Sequence, residues 1–222
     1  MFAIRSGKPC PVQQAQRPAP VPLRVRKRVW TDLARILSTV CNPFLTSLAL
    51  FVILAGSRSR SASDFWILLF NSILFTSIAP MLFIFWLYAT DRISDLDMSI
   101  RTERERVFIA FVIFYALGAI DLYIIRAPAI MTASMAGFAG SALIVQWITR
   151  YWKISTHALG ITAPLIALTV LFGERPLPFY ALIPLVGWSR VYLRAHTLMQ
   201  VVAGTCLALV TTLLFFRIFH VV

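Results

Sequence analysis

Two histidines in this chain sit where bare imidazole is costly. His157 ends the run Lys153-Ile154-Ser155-Thr156-His157, and His196 follows Ser189-Arg190 after five intervening residues, each at the edge of a long apolar passage. Imidazole, hydroxyl and guanidinium groups at the rim of a membrane are expensive unless they meet a polar ligand. A phosphate group satisfies all of them. Arginine offers its oxygens a planar fork, lysine a point charge, and histidine can donate a proton or attack phosphorus. One helical turn past His196 stands Gln200, close enough in sequence for its carbonyl to accept the imidazole Nδ1 proton.

Taken together, the two stretches resemble the type 2 phosphatidic acid phosphatase superfamily, the lipid phosphate phosphatases. Its Pro-Ser-Gly-His motif is matched in part by Ile154-Ser155-Thr156-His157. Its Ser-Arg, five residues, His, three residues, Asp motif is matched by Ser189, Arg190 and His196, with Gln200 in place of the Asp. The resemblance implies that His196 is the nucleophile, forming a phosphohistidine that water hydrolyses, and that His157 is the acid for the leaving oxygen. It also implies that Ser155, Ser189, Arg190 and Lys153 hold the phosphate oxygens, where transition-state charge is spread, with no metal and no cofactor. The family's first motif, a Lys, six residues, then Arg-Pro, has no counterpart here. Arg104, and next Arg101, are expected to serve by position. Two departures bear on rate. Thr156 replaces a glycine where backbone approaches phosphate, and Gln200 brings no negative charge to the imidazole, so a slower or altered enzyme is expected.

Other readings use the same residues differently. Asp91, Asp95 and Asp97 form an acidic loop similar to the magnesium-binding loop of membrane prenyltransferases of the ubiquinone-biosynthesis type, although no second acidic loop accompanies it. A lipid phosphotransferase would use the phosphatase residues unchanged. A catalytically inactive membrane scaffold is a further alternative, with Gln200 as its mark.

The elements that must position these groups are apolar. Of 222 residues 59% are hydrophobic and 14% charged, too apolar for a water-soluble domain of this length, so the bilayer is the expected solvent and main partner. Seven apolar segments, roughly 40–56, 65–89, 106–125, 128–152, 157–173, 176–193 and 197–219, predict an all-α polytopic membrane helix bundle with six or seven transmembrane helices, one of which is re-entrant or kinked. Residues 1–29, rich in Pro, Gln and Arg, are expected to form a disordered basic tail before a transmembrane domain over 30–222. Three cysteines without metal-like spacing predict neither disulfide nor zinc.

Alternating seven spans places the chain up to Arg35, the 90–106 loop, the 153–157 turn and the 190–196 turn on one face. That face holds sixteen of the 21 Lys and Arg residues. The positive-inside rule makes it cytoplasmic, with the N-terminus inside, in an integral protein of a bacterial inner (plasma) membrane. The net charge of +12 is expected to meet anionic lipid, not nucleic acid, because the cations lack interleaved aromatics on a soluble face. The expected substrate is a membrane lipid phosphate or diphosphate, of the phosphatidate, phosphatidylglycerophosphate or prenyl phosphate type. Nothing in the sequence sets an oligomeric state.

Overall fold

The computed structural model of the chain describes residues 23–94 and 101–222, and every described element is helical. The helices are α1 (Leu23–Val40), α2 (Pro43–Arg58), α3 (Ala62–Ile73), α4 (Ala79–Ala89), α5 (Arg101–Ile124), α6 (Ala129–Thr149), α7 (Thr156–Phe172), α8 (Leu182–Tyr192) and α9 (Leu198–Ile218). Their starts follow ordinary capping chemistry. Asn42 accepts from Phe44 N and Leu45 N ahead of α2, and Ser61 accepts from Asp64 N ahead of α3. A π-helical turn, Leu74–Ile78, joins α3 to α4 just before Pro80. Proline cannot donate to the helical ladder, and the wider turn accommodates that break without ending the span.

Four of these segments are long and apolar enough to cross a membrane: Ala62–Ala89, Glu103–Ile124, Ala129–Thr149 and Leu198–Ile218. Arg28–Val40 and Pro43–Arg58 pass the same test as a pair bent by 47°, which makes the number four to five, and α7 is a shorter apolar helix. Every expected apolar segment is therefore helical, while the structure supports fewer full-length spans than the six or seven expected. α1 starts at Leu23, so the boundary expected at residue 30 falls inside a helix.

Burial is arranged for a lipid solvent. On α5, Ile109, Ile113, Leu117, Ile120 and Ile124 form an exposed stripe at helical spacing, while Val107, Phe108, Phe111 and Leu122 turn inward. Trp66, Trp86, Trp147, Trp152 and Trp188, expected as interfacial anchors near segment ends, are all exposed. The inner faces form one core around Phe51, Met131, Met135 and Phe216 and another around Val107, Phe111, Val145 and Ile154. A third, smaller cluster of Cys41, Ile161, Leu165 and Val186 joins α7 and α8 to the residues just after α1.

One close approach matters for the site. A Cβ built on Gly204 of α9 would fall on the carbonyl oxygen of Ser155, nearer than real Cβ atoms come to any neighbour. Glycine here lets α9 lie against the start of α7, where Ser155 N donates to Gln200 O at 3.1 Å. Gly204→Ala should therefore destabilise the protein by about 1–3 kcal/mol through overpacking. Gly137→Ala, whose new Cβ would meet only Phe215 Cβ at 3.8 Å, should be close to neutral. Thermal unfolding of both variants in detergent checks this, and equal midpoints would refute it.

Candidate functional site

The residues singled out in the sequence converge from three separate stretches of the chain. Arg104 near the start of α5, Lys153 before α7, His157 in its first turn, and Arg190 and His196 around the α8–α9 turn all line one cavity of about 740 Å³. Arg35 and Arg194 line it as well, so five cations face this space, and no aspartate or glutamate is among its lining residues. Arg104 and Arg190 are themselves buried. Cations gathered around one space repel one another, and a negative ligand there would lower that cost.

The α8–α9 turn shows why the Ser-Arg to His spacing works. Arg190 O accepts from both Ala195 N, at 3.0 Å, and His196 N, at 3.2 Å, closing the five-residue loop on itself. Arg194 takes the left-handed conformation within it, φ 54°, which is uncommon for a residue with a side chain. Guanidinium and imidazole are thereby brought to the same space.

Gln200 settles the state of the imidazole. Its Oε1 accepts from Thr197 N at 3.1 Å and lies 3.1 Å from His196 Nδ1. A backbone N–H can only donate, so the atom facing it is the amide oxygen, and an oxygen can only accept from the ring. His196 therefore carries its proton on Nδ1 and leaves Nε2 with a lone pair. The same amide completes a capping box with Thr197 at the start of α9. Burial, foremost, and then Arg190, Arg104 and Lys153 lower the His196 pKa from 6.5 to about 4, against the opposing pull of the Gln200 hydrogen bond. The ring stays neutral well below physiological pH.

Other expected ligands are placed differently. Ser155 is fully buried and caps α7, its Oγ accepting from Ala158 N at 3.4 Å. Ser189 is fully buried and donates to Val186 O at 2.8 Å. Neither lines the cavity, so both serve the backbone that carries the site, whereas Thr156 does line it. His157 is half-buried, with an Nδ1 that makes no hydrogen bond. The Arg104 guanidinium lies 5.5 Å from the Phe108 ring centroid, and Glu103 beside it accepts from Ser94 N and Oγ at 3.1 Å, fastening the preceding loop to α5. Asp91 is exposed in a turn and does not line the cavity. Asp95, Asp97 and the Arg101 side chain lie outside the described residues. Among the described residues, no three His, Cys, Asp or Glu side chains cluster as a metal ion would require.

Sequence reasoning missed α1. Its Ser38 is buried and accepts from Arg190 Nη1 at 2.7 Å, and its backbone carbonyl lies in hydrogen-bonding reach of His157. One residue therefore contacts both an expected phosphate ligand, Arg190, and an expected catalytic group, His157. Trp30 packs edge-on against Trp188, 6.0 Å between centroids, and holds α1 on α8. The only sequence signal was the spacing of Leu33, Ala34, Leu37 and Cys41 within a basic stretch.

Comparison of the chain with family models, curated proteins and solved structures finds no match in any of the three.

Because the folded His196 binds its proton less readily than the unfolded chain does, its contribution to stability is complete above pH 6.5 and is lost as the pH falls from there towards 4. A nitrogen NMR titration of histidine-labelled protein should show His196 as the Nδ1–H tautomer, protonating near pH 4. Gln200→Asp should move that midpoint upward, since an anion stabilises imidazolium. An Nε2–H tautomer, or a midpoint near 6.5, would contradict the assignment.

Proposed function

We propose that the chain is an integral-membrane, metal-independent phosphatase of a lipid phosphate or diphosphate, working through a phosphohistidine at His196. The observation that carries this reading is the cavity lined by five cations and no carboxylate, with two histidines at its wall. A phosphate entering among Arg104, Lys153 and Arg190 offers its phosphorus to His196 Nε2, which Gln200 leaves unprotonated. The N–P bond forms as the P–O bond to the lipid breaks, and His157 gives its proton to the leaving oxygen. The incoming anion offsets the surrounding positive charge and so lets His157 carry that proton. Water then attacks phosphorus with His157 as base, the N–P bond breaks, and inorganic phosphate leaves. Throughout, the fixed guanidinium groups stabilise the charge spread over the equatorial oxygens.

Six or seven passes belong to the same proposal. They require α7, leading away from the site, and α8, leading back to it, to count as passes in addition to the four to five candidate spans. The roughly 25 Å and shorter lengths of α7 and α8, at 1.5 Å per residue, fall below the ~30 Å hydrocarbon core. On the positive-inside rule the site faces the cytoplasm, in a plasma membrane.

Purified protein in detergent should release phosphate from a short-chain lipid phosphate, and a chelator should not reduce the rate. His196→Ala should lower turnover at least a thousandfold, about 4 kcal/mol of barrier, while leaving extraction and folding intact. Gln200→Asp should hold or raise the rate. Release by His196→Ala at near the parent rate would sink the mechanism. Magnesium-dependent prenyl transfer would favour the acidic loop, transfer of phosphate to a second lipid would favour a phosphotransferase, and absence of all three activities would favour the scaffold.

A further inference from the structure

The cavity continues well past the cations. From Arg104 its wall follows α5 through Phe108 and Phe111 to Tyr115, α6 adds Phe138 and Ala142 beside it, and Phe44 of α2 and Leu159 of α7 also line it. The rings form an unbroken series, with Phe108 to Phe111 at 5.7 Å, Phe111 to Tyr115 at 6.1 Å and Tyr115 to Phe138 at 6.0 Å between centroids. Arg104 to Tyr115 spans about 16 Å of helix at 1.5 Å per residue. That is close to half the ~30 Å hydrocarbon core, the depth of one leaflet.

A phosphate group does not fill such a space. At ~30 Å³ per water, 740 Å³ corresponds to roughly 25 water volumes, several times what a phosphate occupies. Water suits the basic mouth better than the aromatic end, where the polar groups are the Tyr115 hydroxyl and two serines already engaged, Ser141 with Thr211 and Ser47 with Phe44 O. Left empty, that end would forfeit the dispersion contacts of every ring lining it. The occupant that satisfies both ends is anionic at one and hydrocarbon at the other.

We infer that the aromatic chamber lined by α5 and α6, with α2 and α7, receives the substrate's hydrocarbon tail, so that a long-chain lipid phosphate is held inside the bundle with its tail withdrawn from the bilayer. This rests on the phosphate-site reading and deepens it. The bilayer is as apolar as the chamber, so the tail gains little transfer free energy by moving. What the chamber supplies is position: with the tail aligned along α5, the phosphorus is held at His196.

The test is photocrosslinking with a non-hydrolysable phosphonate bearing a diazirine at the far end of its chain, in lipid nanodiscs. One arm uses a saturated alkyl chain and one a prenyl chain of equal length. Peptide mapping should place the label from at least one arm on Phe111, Tyr115 or Phe138, and inorganic phosphate should compete it away. Ala142→Trp, which narrows the chamber, should lower that labelling and reduce turnover of a long-chain substrate relative to a short-chain one by tenfold or more. Phosphate-sensitive labelling confined to the lipid-facing Ile109, Ile113 and Leu117 would overturn the chamber and leave the phosphate site standing. Labelling that phosphate never competes would overturn both.

Discussion

The site depends on the two carbonyl oxygens of Gln200. The side-chain oxygen receives the Nδ1 proton of His196 and the N–H of Thr197, and the backbone oxygen receives the N–H of Ser155. One residue thus fixes the tautomer of one histidine, caps the helix that follows it, and ties the turn bearing the other histidine to the same helix end. Gly204, one turn further along α9, allows the approach that makes the last of these bonds possible. A neutral amide performs these positional tasks as well as a carboxylate would. The difference is electrostatic. Without an anion behind it, the imidazole is left to burial and the surrounding cations, which keep it unprotonated.

The same cations set the electrostatic cost of the site. Five positive side chains around one space repel one another, and two of the arginines are buried. Neutral groups are among their contacts: Ser38 against Arg190, and the Phe108 ring near Arg104. A hydroxyl or a ring can orient a guanidinium without carrying a countercharge of its own. The serines near these groups hold backbone instead: Ser155 caps α7, and Ser189 donates to Val186 O within α8.

Much of this was legible in the sequence because hydropathy and spacing report on it directly. Each apolar segment became helix, the Thr197 to Gln200 pair is a recognisable capping signal, and Arg104, Lys153, His157, Arg190 and His196 were named before being found together. α1 was not legible. Its average hydropathy is low and its charges are basic, so a reading by apolar runs starts the first segment at Val40 and leaves Arg35 and Ser38 outside every segment. Only the packing of α1 on α8 reveals that its polar face completes the cavity. The depth of the aromatic chamber was hidden for a related reason. Phe108, Phe111 and Tyr115 look like ordinary core spacing, and nothing in one sequence tells a packed aromatic row from one lining a void.

The most direct test of the central claim is to trap the covalent intermediate. Protein mixed with a lipid phosphate labelled in its phosphoryl group and quenched within one turnover should carry acid-labile, alkali-stable label on the peptide containing His196. That label should be absent from the His196→Ala protein. Label on His157, on a hydroxyl or on a carboxylate, or no label despite rapid phosphate release, would contradict the account.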